Sequence, residues 1–126
     1  MYTVMIVDDE PMVKKMLRKL IDASGRFQVT GEAEDGREAL DKIVSAPPDI
    51  LITDIRMPVM DGLELIATLE EKGLRPEVVV ISGHDDFSYA QKAIRFGVAE
   101  YLLKPIRPEL LMETLDRLAA RFEKRR

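Results

Sequence analysis

The chain has 126 residues, of which 46% are hydrophobic and 33% are charged, a balance typical of one water-soluble globular domain. The absence of cysteine and the presence of one histidine exclude disulfides, thiolate metal sites and a multi-histidine metal site within the chain. The net charge of −4 gives no electrostatic reason to expect direct nucleic-acid binding, and no apolar run approaches the roughly 20 residues of a membrane span.

The first predicted strand, Val4–Val7, runs directly into three acids, Asp8, Asp9 and Glu10. No signal peptide precedes the strand, so we expect a cytoplasmic location. Pro11 suits the first turn of a helix, which places Asp9 or Glu10 near the N-cap. Capping and the helix dipole would explain one acid easily but three poorly. Apolar residues three and four apart predict that this helix is amphipathic: Val13, Met16, Leu17, Leu20 and Ile21.

The next two predicted strands differ in how deeply we expect them to be buried. Phe27–Ala33 alternates in polarity, which favours a more exposed strand near a sheet edge. Asp35-Gly36 is predicted to be a turn before a short second helix. The third strand, Ile50–Asp54, is apolar on both faces, as in a parallel sheet, and it ends in a carboxylate. The charge of Asp54 must therefore lie where the chain leaves the core.

The second half of the chain continues the alternation of strands and helices. Asp61-Gly62 opens a third helix, and the strand Val78–Ile81 is the most central by composition and leads into Ser82. A fourth helix precedes the fifth strand, Tyr101–Leu103, which leads into Lys104-Pro105. The last helix begins near residue 108, and its basic C-terminal end suits the helix dipole better than nucleic-acid binding.

Five strand–helix units predict an α/β fold with a five-stranded, doubly wound parallel sheet. The carboxyl ends of parallel strands meet at one edge of the sheet, where ligands bind in open α/β folds. We therefore expect residues that are distant in sequence to converge there: Asp8, Asp9, Asp54, Ser82 and Lys104.

Converging carboxylates repel one another by about 3 kcal/mol per pair at about 5 Å and an effective dielectric near 20. Some are then protonated, or a cation lies among them, and both Lys104 and a divalent ion are candidates. A ligand set of oxygen atoms without histidine or cysteine suits Mg²⁺. Asp54 can act as a nucleophile toward a phosphoryl group, while Ser82 and Lys104 bind its oxygens.

Four motifs lie in order at the predicted strand ends, and together they resemble the receiver domain of a two-component response regulator. The resemblance covers essentially the whole chain, residues 1–126, and implies the flavodoxin-like (βα)5 receiver fold. The motifs are Val7-Asp8-Asp9-Glu10-Pro11, Asp54-Ile55-Arg56-Met57-Pro58 with Asp61-Gly62, Ser82-Gly83, and Tyr101-Leu102-Leu103-Lys104-Pro105.

The resemblance implies a role for each matching residue. Asp54 would be the phosphoacceptor. Asp9 would bind Mg²⁺ directly, Asp8 through water, and Arg56 through its backbone carbonyl. Ser82 and Lys104 would bind the phosphoryl group, and the Lys104–Pro105 peptide bond would be cis. Tyr101 would be the switch aromatic; a half-buried strand aromatic and a strand-end cap are the structural alternatives for Tyr101 and Ser82.

The resemblance also implies a self-phosphorylating signalling switch that is not a turnover enzyme. The phosphoryl donor would be a sensor histidine kinase or a small molecule such as acetyl phosphate. Phosphorylation would change the surface of the fourth helix, fifth strand and fifth helix, and so control a dimer, a partner or a DNA-binding output domain in transcriptional regulation. Residues 82–105 resemble receivers that precede AraC-type helix-turn-helix domains. Residues 1–126 contain no such domain, so we expect an excised or a stand-alone receiver.

Two residues, Arg56 and His84, are expected to affect the rate at which the acyl phosphate is hydrolysed. Arg56 follows Asp54 by two residues and His84 follows Ser82 by two. We hypothesise that both side chains rim the entrance to Asp54 and control the access of water to the acyl phosphate. An exposed loop position is an equal alternative for His84.

Three other functions fit the pattern less well. A haloacid dehalogenase-type phosphohydrolase would need a second acid where Arg56 stands. A pseudo-receiver that only binds partners would not need the complete set of site residues. A nucleotide-binding flavodoxin-like or Rossmann domain would need a glycine-rich motif after the first strand, and none is present.

Overall fold

The computed structural model describes residues 1–83 and 87–125. Within these ranges five strands alternate with five helices. The strands are β1 (Tyr2–Val7), β2 (Phe27–Ala33), β3 (Ile50–Asp54), β4 (Glu77–Ser82) and β5 (Glu100–Leu103). The helices are α1 (Pro11–Ala23), α2 (Gly36–Ser45), α3 (Gly62–Glu71), α4 (Phe87–Arg95) and α5 (Pro108–Lys124).

All four strand pairings are parallel, and the spatial order is β2-β1-β3-β4-β5. This confirms the predicted five-stranded parallel sheet and the edge position of β2. The prediction that β4 is the most central strand is wrong, because β3 lies in the middle. An apolar composition indicates that a strand is buried on both faces, and this holds for both β3 and β4. The order of the strands in the sheet is set instead by the crossover connections.

The sheet separates two apolar layers, and β3 contributes to both. Ile50 and Ile52 pack into the layer that includes residues of α1 and α5. Leu51 packs into the opposite layer, with residues of α2, α3 and α4. Each of these fully buried side chains contributes about 1.5–3 kcal/mol to folding. The two-sided burial explains why β3 has no polar residue before Thr53.

Two aspartates fix the starts of α2 and α3. Asp35 accepts a hydrogen bond from the Glu38 backbone N–H at 2.8 Å, so the predicted turn at Asp35-Gly36 is instead the first turn of α2. Asp61 accepts from the Glu64 N–H, and Glu64 accepts from the Asp61 N–H, which completes a capping box for α3. Both helices therefore begin shortly after the ends of β2 and β3.

The loop between β3 and α3 contains a strained residue. Val59 has φ of 69° and is 81% exposed, and the Met60 N–H donates to the Pro58 carbonyl at 2.8 Å across it. This is a γ-turn whose central residue is β-branched and left-handed, a conformation that costs on the order of 1–3 kcal/mol.

Replacing Val59 by glycine is expected to raise the free energy of unfolding by about 0.5–1 kcal/mol, because relief of strain exceeds the added chain entropy of glycine. Urea denaturation measures the change. The control is Val44→Gly, since Val44 is 51% exposed within the regular helix α2 and its replacement should be destabilising. Equal losses of stability in both variants would refute strain at Val59.

Among the described residues, none of the helices has both the length and the apolar character that a bilayer crossing requires.

Candidate functional site

The carboxyl edge of the sheet brings the predicted site residues together. Asp8 directly follows β1, Asp54 ends β3, and Ser82 ends β4. Lys104 directly follows β5, and its backbone N–H donates to the Ser82 carbonyl at 2.7 Å. Parallel pairing of β3 with β4 and of β4 with β5 therefore fixes three of these residues relative to one another.

The Lys104 ammonium is shared by three carboxylates. Its Nζ lies 3.0 Å from Asp8 Oδ2, 2.9 Å from Asp54 Oδ2 and 3.0 Å from Glu10 Oε1. The ammonium donates hydrogen bonds to Asp54 and Glu10, whereas its contact with Asp8 is an ion pair without hydrogen-bond geometry. The side chain of Lys104 is 13% exposed, against 0% for Asp8 and 8% for Asp54. The two buried acids therefore depend on this cation for their charge compensation.

Backbone contacts hold Asp54 in place. Its Oδ1 accepts from the Ile55 N–H at 2.7 Å, and the Thr53 hydroxyl donates to its carbonyl at 2.8 Å. The Gly62 N–H donates to the Ile55 carbonyl at 2.8 Å, which brings the first residue of α3 against the end of β3. A Cβ atom on Gly62 would lie 2.1 Å from the Asp54 carbonyl oxygen, so only glycine fits there. Asp54 consequently presents its carboxylate from a rigid segment.

The three acids after β1 do not serve mainly as helix caps. Glu10 is the N-cap residue of α1, yet its side chain makes no capping hydrogen bond. Its backbone N–H donates to Asp8 Oδ1 at 2.8 Å, and its carboxylate reaches Lys104. One carboxylate oxygen each from Asp8, Asp9, Glu10 and Asp54 forms a group within 4.8 Å. From the sequence, Glu10 is only the third of three consecutive acids, and its contact with Lys104 is a finding of the structure.

The electrostatics of the pocket follow from this crowding. Burial raises the pKa of Asp8, and the nearby Asp54 charge adds to the rise, while the Glu10 N–H and Lys104 oppose it. Burial alone would lower the pKa of Lys104, but the close contacts of its ammonium with Asp54, Asp8 and Glu10 outweigh that effect and raise it. Lys104 is therefore charged at neutral pH, where its single positive charge faces three carboxyl groups.

The residues present fit a magnesium ion. Asp8 Oδ2 is buried and accepts no hydrogen bond from the residues described, although Lys104 lies nearby. The group of four acids offers oxygen ligands only, which is the set that hard divalent cations prefer. Asp9 and Glu10 are exposed, so the group opens to solvent on one side. A buried oxygen without a donor, beside exposed carboxylates, is what a partly hydrated ion would complete.

The remaining predicted residues lie around this pocket. Ser82 is 5% exposed at the end of β4, and the Lys104–Pro105 peptide bond is cis. Tyr101 is half-buried, and its hydroxyl oxygen is buried without a hydrogen-bond partner in residues 1–83 and 87–125. Arg56 is exposed, and its guanidinium carbon lies 5.4 Å from the centroid of the Tyr89 ring on α4. His84 lies outside the described residues.

Comparison with known proteins gives one consistent result. Residues 4–116 match the family model described as response regulator receiver domain. The transcriptional regulatory protein YesN of Bacillus subtilis is 36% identical over 125 residues, which cover 98% of this chain and 34% of that protein. The positive alginate biosynthesis regulatory protein of Pseudomonas aeruginosa is 41% identical over 115 residues, 90% of this chain and 46% of that protein.

A solved structure extends the likeness to three dimensions. The receiver domain of AraT, a response regulator from Geobacillus stearothermophilus, is 41% identical to this chain and superposes with a TM-score of 0.90. The match covers 98% of this chain and 97% of that one. The chain spans 34% to 55% of the length of the curated relatives it matches. The flavodoxin-like fold, the family model and the relatives agree: the chain belongs to the family of response regulator receiver domains of two-component signalling systems.

Proposed function

We propose that Asp54 is the phosphoacceptor of this receiver and that its phosphorylation switches a partner-binding surface. The observation that carries the proposal is the carboxylate of Asp54, held 2.9 Å from the Lys104 ammonium and within 4.8 Å of the oxygens of three other acids. A rigid carboxylate between a cation and a candidate metal group is suited to attack phosphorus. The donor is a sensor histidine kinase or a small phosphodonor such as acetyl phosphate.

The transfer exchanges one bond for another. A carboxylate oxygen of Asp54 attacks the phosphorus, and the bond from phosphorus to the donor nitrogen or oxygen breaks. The leaving group takes the electron pair and, for phosphohistidine, a proton from water. The product is an acyl phosphate on Asp54, and Lys104 and Ser82 are the groups that compensate the charge on its oxygens.

Mg²⁺ belongs to this proposal. Asp9 would hold the ion directly, Asp8 through water, and Asp54 and the backbone carbonyl of Arg56 would complete the protein ligands. When bound, the ion supplies positive charge that lowers the repulsion between the carboxylates and the phosphoryl donor. The oxygen-only group of acids supports the assignment, as does Asp8 Oδ2, which accepts no hydrogen bond from the described residues.

The switch runs from the pocket to the face of α4, β5 and α5. Ser82 and Tyr101 are the switch residues of this proposal, since Ser82 ends the strand beside Asp54 and Tyr101 pairs with Val80 on the same strand. Two apolar side chains of these elements are exposed, Ile94 on α4 at 71% and Leu103 on β5 at 50%. Such side chains suit a surface that docks a partner or a second copy of the chain.

The wider context of the chain also belongs to the proposal. Residues 1–126 form a receiver domain that acts in transcriptional regulation through an output DNA-binding domain, as the names of the relatives YesN and the alginate regulator suggest. An AraC-type output and a cytoplasmic location stay predictions. The only catalysis we assign is the transfer and hydrolysis of the domain's own phosphoryl group.

Arg56 and His84 remain proposed rate-setting residues. The guanidinium of Arg56 lies over the Tyr89 ring, which fixes an exposed side chain between the loop after β3 and the helix α4. We infer that this arrangement limits how water reaches the acyl phosphate on Asp54. The same side chain stands where a phosphohydrolase of the haloacid dehalogenase type needs a carboxylate, so the structure offers no support for that alternative.

Acetyl phosphate with Mg²⁺ is expected to add one phosphoryl group to the wild-type chain, as measured by intact-mass spectrometry. Asp54→Asn should add none, because the amide is not a nucleophile of comparable strength. Asp61→Asn serves as the matched control, since Asp61 caps α3 nearby without belonging to the pocket. Phosphorylation of the Asp54→Asn protein at the wild-type rate would overturn the assignment.

A further inference from the structure

We propose that Glu10 is a positioning residue that accepts a hydrogen bond from the Lys104 ammonium and thereby restrains phosphoryl uptake. This inference rests on the proposed function of Asp54. It assigns to Glu10 the role of the carboxylate that must release Lys104 before the ammonium can contact an incoming phosphoryl group.

The geometry sets Glu10 apart from its two neighbours. Its Oε1 lies 3.0 Å from Lys104 Nζ, a contact as short as those to Asp8 and Asp54. Its side chain, however, is 59% exposed, whereas those of Asp8 and Asp54 are 0% and 8% exposed. Three carboxylates hold one ammonium, but only one of them can exchange that contact for water at low cost.

Competition for Lys104 follows from how closely carboxylates surround its ammonium. Three carboxylates surround the ammonium at 2.9–3.0 Å, two of them as hydrogen-bond acceptors, so a phosphoryl oxygen can reach Nζ only if one of these carboxylates moves away. A buried carboxylate that leaves is desolvated and unpaired, which is costly. Glu10 can rotate into solvent and be hydrated, so it is the partner that leaves. Until then its charge also opposes the approach of an anionic donor.

The alternative is that Glu10 and Lys104 form an ordinary surface ion pair. Such pairs contribute little to stability, and removing one would leave the reaction unchanged. The two accounts therefore differ in the rate of phosphoryl uptake and not in folding.

The variant Glu10→Gln keeps the shape of the side chain and removes its charge. At saturating Mg²⁺ and low ionic strength, we expect its initial rate of uptake from acetyl phosphate to be about threefold that of the wild type, the size expected of one partly exposed charge. The gain should shrink at high salt because the effect is electrostatic. Glu71→Gln is the control: Glu71 is exposed at the opposite end of α3, and its loss changes the net charge equally.

A second readout needs neither donor nor metal. In Mg²⁺-free buffer, the NMR signals of the Lys104 Cε methylene should shift in Glu10→Gln and stay in place in Glu71→Gln. A rate for Glu10→Gln equal to or below that of the wild type, or an equal gain in Glu71→Gln, would overturn the inference. Failure of the wild type to accept phosphate on Asp54 would instead contradict the proposed function, on which the inference depends.

Discussion

Replacing Lys104 by methionine is expected to lower the free energy of unfolding by about 3 kcal/mol at neutral pH in Mg²⁺-free buffer. The variant keeps the apolar stem but removes the cation shared by Asp8 and Asp54, whose side chains are 0% and 8% exposed. Removing one partner of a buried ion pair is strongly destabilising because the remaining charges are desolvated and uncompensated. In this variant two like charges are left facing each other, so the expected loss of stability lies at the upper end of the range for single substitutions.

The loss of stability in Lys104→Met should depend on pH and on Mg²⁺. As the pH falls toward the ordinary pKa of Asp8, 3.8, that buried carboxylate takes up a proton, so the difference in stability from the wild type shrinks. Burial already raises the pKa of Asp8 from its ordinary value of 3.8, so any stability that depends on its protonated form falls as the pH rises above 3.8. Mg²⁺ should restore part of the stability, since a divalent ion replaces the missing charge.

The raised pKa of Lys104 makes a separate prediction for the wild type. A group whose pKa is higher in the folded state stabilises fully below its unfolded pKa, so the contribution of Lys104 is intact at neutral pH. That contribution should fall only as the pH rises beyond 10.5, the ordinary value for lysine. The Lys104→Met protein should lack this alkaline loss.

Urea denaturation of both proteins across this pH range measures these effects. Lys19→Met is the control, because Lys19 is exposed on α1 and its loss changes the net charge equally. Equal stability of Lys104→Met and Lys19→Met would mean that Lys104 does not hold the pocket together.

Gly62→Ala is the second variant with a large expected effect, about 3 kcal/mol or more of lost stability. A Cβ at this position would lie 2.1 Å from the Asp54 carbonyl oxygen and 3.1 Å from the Ile55 Cα. Both neighbours are backbone atoms, so the clash cannot be relieved by rotating a side chain. The end of β3 and the start of α3 must separate, which also displaces the Asp54 carboxylate. Phosphoryl uptake is therefore expected to fall together with stability.

Gly83→Ala provides the matched control for glycine replacement. A Cβ there would approach only the Lys104 Cδ atom, at 3.9 Å, which is an ordinary contact. We expect a change within about 0.5 kcal/mol, as for an exposed position without special geometry. Thermal denaturation of the two variants gives the comparison, and a Gly62→Ala protein as stable as Gly83→Ala would contradict the close approach.

Much of the site could be predicted because topology alone brings strand ends together. Apolar runs that end in Asp8, Asp54, Ser82 and Lys104 are visible in the sequence, and parallel pairing places such ends at one edge. The position of the central strand was predicted wrongly, since composition does not distinguish β3 from β4 when both are buried on two faces.

The finer contacts depend on loop paths that no local pattern encodes. In the sequence, Glu10 is one more acid near the start of a helix. It becomes a partner of Lys104 only because the chain after β5 passes close to it. In the sequence, Gly62 marks the start of a helix. That only glycine fits at this position follows from how closely the loop packs against the Asp54 backbone. Arg56 is exposed, and the position of its side chain is decided by Tyr89, a residue on another element.

Beryllofluoride provides the most direct test of the central claim, because with Mg²⁺ it mimics a phosphoryl group on an aspartate without chemical turnover. In two-dimensional NMR spectra of the wild type, the account predicts shifts of the backbone signals of Ser82, Tyr101 and Lys104 that require both reagents. The same additions should leave the spectrum of Asp54→Asn unchanged. Unchanged signals in the wild type, or equal shifts in both proteins, would contradict the claim that Asp54 accepts the phosphoryl group in a magnesium-dependent pocket.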